Sequence, residues 1–181
     1  MQTAQQLSRK NRAEHLLYLW QVEDILRACN LDFDLVKKNY LAGFRWNEKE
    51  RKENEKWYAD LCVMMQREGL RSAGHLQIHQ NLLSQLEELH RRLLSSPEFP
   101  YYREMYYKVL PYIVEVRAKG AHRDASELEV CFDILYGLLL LRVQGKKISP
   151  ETEAAAKDIS TLLGQLSDYY FKEEASPQPL P

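Results

Sequence analysis

Strand-type alternation is missing from this sequence, and so is nearly every pattern that announces a chemistry. No run alternates apolar and polar residues between turn signals, which leaves no convincing β-strand. No nucleophile elbow, P-loop, dinucleotide-binding glycine pattern, H-E-x-x-H or zinc-ribbon spacing occurs. The reading leans away from an enzyme, and no cofactor is indicated. Glycine and proline number only seven each in 181 residues, which excludes collagen-like and low-complexity classes. Cysteine is rarer still: Cys29, Cys62 and Cys131 are an odd number, none close to another in sequence. Three free thiols acting as small hydrophobes in a reducing compartment fit this better than a disulfide framework does. Charge of one sign is not in excess either. Against 26 acids stand 25 bases, a net −1 that offers nothing global to a polyanion, so no nucleic-acid partner is expected.

Long apolar runs are also lacking. The longest, 130–141, falls short of the roughly 18–20 residues of a membrane span, and Asp133 interrupts it. The first residues show no apolar segment of a secretory signal. The expectation is a cytoplasmic protein with no membrane partner.

Helix signals are what the chain has in abundance. Asn11 with Glu14, Asp32, Asn47 with Glu50, Ser96-Pro97, Asp124 with Glu127, and Ser149-Pro150 each read as a helix start. With a linker at 70–74 leading into the fourth, they predict helices over 11–30, 32–43, 47–69, 75–94, 97–120, 124–145 and 149–171. Pro111 lies inside the fifth of these, where its ring opposes the Tyr107 carbonyl and a kink is expected. The sixth contains Val130 to Val143, apolar on almost every side, and such a helix has to be surrounded. The fold class is all-α: a single-domain bundle of six to seven helices over 1–174, around a central apolar helix at about 125–144. A disordered proline-rich tail is expected at 175–181.

Several blocks are similar to a known family. They are Asn11 to Ala28, His75-Leu-Gln77, Ser96 to Tyr101, Tyr107 to Gly120, and Glu127 to Arg142. Together they resemble a bacterial, all-helical family catalogued only as a domain of unknown function. The resemblance implies a helical domain over nearly the whole chain and brings no activity, substrate or catalytic residue with it.

Functional leads are polar residues where a bundle would place apolar ones. In the first predicted helix, Leu17, Tyr18, Val22, Ile25, Ala28 and Cys29 form an apolar arc, and Glu14 and Gln21 fall inside it. Glu14 doubles as the third residue of a capping box, and Arg117 or Lys119 would be natural partners. Glu23, Asp24 and Arg27 fall on the opposite, polar side, together with Trp20. In the fourth helix the stripe Leu82, Leu86, Leu89 and Leu93, extended backwards, lands on His79 and His75. Two imidazoles one turn apart are the candidate metal ligands. A third ligand would come from Glu14, His15, Asp133 or His122, since His90 lies ~16 Å along the axis from His79. The alternative is a pair of structural histidines at the bundle end.

Glu129, Asp133, Gly137 and Gln144 share one edge of the apolar helix, which reads as a wet seam or as a pocket wall with a carboxylate of raised pKa. Gly137 would let a neighbour approach closely. Phe99, Tyr101, Tyr102, Tyr106, Tyr107 and Tyr112 crowd the fifth helix and suit packing, a ligand groove or an interface. The biochemical function stays unknown at this point. The preferred reading is a non-enzymatic protein acting through protein–protein interaction or self-association, with a homo-oligomer or a protein partner on the aromatic fifth helix. The alternative is a small-molecule or metal site between helices, enzymatic or not, using His75 and His79 with Glu14 or Asp133. Gln21 and Tyr107 complete the candidate ligand-binding residues.

Overall fold

The computed structural model describes residues 2–119 and 124–175. The predicted helix end at Gly120, the candidate ligand His122 and the tail beyond Ala175 lie outside them. Eight α-helices and one 3-10 turn are present, and no strand occurs among the described residues. They are α1 (Gln2–Ser8), α2 (Arg12–Ala28), α3 (Phe33–Asn39), the 3-10 turn (Leu41–Gly43), α4 (Glu48–Arg67), α5 (Gln77–Ser95), α6 (Pro100–Ala118), α7 (Glu127–Val143) and α8 (Pro150–Glu174). The all-α class is as the periodicity requires. To the seven predicted helices the structure adds α1, seven residues long and too short for an apolar period to register.

The chain divides into two compact units, residues 1–82 and 83–181. In the first, Asn11 accepts the amides of Ala13 and Glu14 to start α2, and Asp32 accepts those of Asp34 and Leu35 to start α3. Asn47 and Glu50 form a reciprocal capping box on α4, which stops at Gly69 with φ +73°. These helices close over Val22, Leu26, Leu31, Val36, Tyr58, Leu61, Met65 and Leu76. Leu31 holds a left-handed φ of 58° at 1% exposure, a strained backbone kept in place by the burial of its side chain.

In the second unit, α6 packs chiefly on α8, and α7 packs on both. Two predicted starts shift. Proline does open α6, but it is Pro100, while Ser96 accepts the Glu98 amide in the preceding turn. The capping box of α7 is Ser126 with Glu129, not Asp124 with Glu127. Burial along α7 is graded: Leu128, Val130, Cys131, Phe132 and Leu138 are buried, whereas Leu140 is 39% and Val143 72% exposed. A methyl group at Gly137 would meet no heavy atom of a neighbouring element within 4 Å among the described residues, so the close approach expected there is not seen among them. All three cysteines are buried and free.

Candidate functional site

The most concentrated polar chemistry of the first unit gathers on Glu23, whose side chain is 0% exposed. Its Oε2 lies 2.6 Å from His75 Nδ1, and its Oε1 lies 2.5 Å from His79 Nδ1. The Leu76 amide donates to Oε1 at 2.9 Å. Arg27 Nη2 stands 3.9 Å from Oε2 and also meets Asp24 Oδ1 at 2.7 Å, while its Nη1 donates to the Gly74 carbonyl at 2.8 Å. Burial by itself would raise the Glu23 pKa, but hydrogen bonds from His75, His79 and the Leu76 amide outweigh it and lower the pKa to about 2. The group is an ionised carboxylate and only accepts. Both Nδ1 atoms must therefore carry their hydrogens, which leaves Nε2 as the free functional atom of each ring.

Local sequence explains how the node assembles. Segment 70–76 arrives at α5 without a Ser, Thr, Asp or Asn in the capping position, yet the first amides of a helix need acceptors. Glu23 supplies one to Leu76 and Glu68 one to Gln77, at 2.8 Å. Two carboxylates from outside α5 thus stand at its positive end. The Trp20 ring, 2% exposed, lies flat on His75 with centroids 4.2 Å apart and planes 14° from parallel. His15, one turn before Leu19 on α2, is half-buried. Burial, then the charge of Arg12, then His79 lower its pKa to about 4, and its buried Nδ1 has no hydrogen-bond partner.

The structure thus brings His75 and His79 together, though not as two positions on one helical face. His75 precedes α5 and is half-buried, while His79 is 3% exposed within it. The carboxylate they share is Glu23, from the side of α2 that the apolar count had marked as polar. The face of α2 that is buried comprises Ala13, Leu16, Leu19, Trp20, Val22, Glu23 and Leu26, not the arc through Leu17, Ile25 and Ala28. Glu14 is exposed, with its amide on the Asn11 cap, and Gln21 is half-buried. Arg117 donates to the Ala125 carbonyl at 2.8 Å, and Lys119 pairs with Glu115 at 2.7 Å. Trp20 held the missed signal. Had the largest apolar side chain been used to orient the helix, Glu23 would have fallen within the buried arc. Among the described residues, no group of three or more His, Cys, Asp or Glu side chains could hold a metal ion.

Asp133 is half-buried on α7, Glu129 spends its carboxylate on the Ser126 cap, and Gln144 is exposed at the helix end. The aromatics of α6 separate by depth. Phe99 and Tyr102 are buried, and Tyr102 meets buried His90 through a 2.6 Å contact between its hydroxyl and Nδ1. Tyr106 and Tyr112 are half-buried and donate to Glu127 and Asp158. Tyr101 at 77%, Tyr107 at 65% and Val114 at 57% stand in solvent. Tyr107, exposed Pro111 and Val114 follow the i, i+4, i+7 spacing and so form one outward row along α6.

The chain belongs to the family described as Domain of unknown function (DUF4924), matched over residues 1–176. No curated protein and no solved structure matches it. The family description carries no activity, so function rests on the geometry above. Among the described residues no helix is long and apolar enough to cross a membrane.

Proposed function

We propose that this protein acts by association, docking α6 of a second copy on the outward row of its own α6. The observation that carries this reading is the apolar row Tyr107, Pro111 and Val114 left in solvent on one continuous helix. Side chains of that size gain burial only by meeting another surface. The i, i+4, i+7 spacing is the anchor pattern by which one helix docks on another. A second copy offers the same row in antiparallel register across a two-fold axis. Sedimentation equilibrium tests it: a dimer is expected at about 100 µM. The double variant Tyr107→Glu, Val114→Glu is expected to be a monomer with unchanged helical circular dichroism. A wild-type protein that stays monomeric over that range removes the reading, and a variant that still dimerises removes this face.

A second reading draws on Glu23, which turns two imidazoles so that only Nε2 is uncommitted. It is a small polar ligand held at those two atoms. Native mass spectrometry of the purified protein tests it through a retained molecule that disappears in His75→Ala, His79→Ala. Identical masses with and without gentle denaturation sink it.

A further inference from the structure

The first unit holds a cavity of about 260 Å3 between α3, the 3-10 turn and the first turns of α4. Lys37, Leu41, Phe44, Trp46, Arg51 and Glu55 line it. Phe44 lies parallel to Trp46, with centroids 4.7 Å apart and planes 14° from parallel, and Tyr40 braces it edge-on at 5.2 Å. Despite that support Phe44 remains 42% exposed, an aromatic wall that folding leaves uncovered. Leu41, buried at 4% exposure, adds an apolar lining.

Charge completes the description. Lys37 is held by Glu55 at 3.0 Å. Arg51, one turn before Glu55 on the same helix, has no ion-pair partner among the described residues. Two cations and one carboxylate line the cavity, so one positive charge is left over, and it sits on the group best shaped for two-point binding of a carboxylate. The ring stack alone would be a way of closing the turn onto α4. An unpaired guanidinium opening on the same cavity makes it a site. The volume is below the roughly 300–1,000 Å3 of drug-sized pockets and suits one ring with its acid group. We propose that this cavity binds a small planar aromatic carboxylate, with its ring against Phe44 and Trp46 and its carboxylate on Arg51.

Benzoate is the probe, titrated into the full chain and followed by NMR at the Trp46 indole N–H and the Arg51 Nε–H. Cyclohexanecarboxylate keeps the charge without the ring, and benzamide keeps the ring without the charge. Saturable shifts at both groups are expected, with benzoate binding about tenfold or more tighter than either control. Arg51→Gln, at an exposed side chain, is expected to weaken benzoate about tenfold while the remaining spectrum is unchanged. Cyclohexanecarboxylate binding as tightly as benzoate overturns the aromatic requirement, and benzamide doing so overturns the carboxylate. No saturable shift up to about 10 mM benzoate removes the site.

Discussion

Two buried groups give this protein opposite-looking chemistry with the same pH consequence. Glu23 is held ionised, its pKa lowered to about 2 from an ordinary 4.5 by three hydrogen bonds that overcome burial. In the unfolded chain it binds a proton first, so its stabilisation is complete above pH ~4.5 and drains away as pH falls toward 2. His90 is held neutral: burial lowers its pKa from 6.5 to about 4, against a smaller upward pull from Glu127. The unfolded chain again binds the proton first, and stability is lost between pH ~6.5 and 4. A shift of that size in a side chain 5% exposed corresponds to about 3 kcal/mol. Urea unfolding against pH should therefore fall in two stages. His90→Phe should make the upper stage shallower, leaving the part that His15 contributes over the same range, and Glu23→Gln should flatten the lower, each at a cost to stability at pH 7. For Glu23→Gln we expect a loss of about 2–4 kcal/mol there, because an amide cannot accept both imidazole hydrogens as a carboxylate does. An unaltered slope from pH 6.5 to 4 in His90→Phe would sink the assignment of that stage.

At the level of elements, what the sequence made legible was what neighbouring residues decide. Asn47 with Glu50, Asp32 and Ser149 cap the helices they precede, because a cap reaches only two or three residues along the chain. The start of α5 was harder to place, since its acceptors are Glu23 on α2 and Glu68 just past the end of α4. The face of α2 was misread for a related reason. Hydrophobicity ranks Glu as a surface residue, whereas a carboxylate with three donors is at home in a core. The apolar stripe of α5 singled out His75 and His79 as out of place, but no periodicity revealed that both imidazoles meet Glu23. Gly137 illustrates the reverse error, a residue given a packing role that geometry denies. It sits in mid-helix with room for a methyl group, and it costs α7 backbone entropy without a contact in return. Gly137→Ala should stabilise the protein by about 0.5–1 kcal/mol, measured as an upward shift in thermal midpoint of a few degrees. A lower midpoint would mean that the apparent space is filled by something the helix needs.

Across the whole molecule, acids and bases nearly cancel, with a net charge of −1 and a pI near 6.5. Long-range repulsion between copies is therefore weak, and whether copies associate depends on local surface. On α6 that surface is an apolar row, and two of the charges beside it are committed within the chain. Lys108 is bound to Asp158 at 2.7 Å, and Glu115 to Lys119 at 2.7 Å. Such pairs contribute little to an interface beyond excluding mismatched partners, while the row supplies the burial. This reasoning makes the salt dependence of self-association diagnostic. Raising the ionic strength from about 0.05 to 0.5 M shortens the screening length from roughly 14 to 4 Å and removes most attraction between exposed charges, but leaves apolar burial intact. The dimer constant from sedimentation should then stay within about twofold, and sulfate should strengthen it. A constant that weakens tenfold or more over that range would place the driving force on the charged flanks and displace Tyr107, Pro111 and Val114 as the docking row.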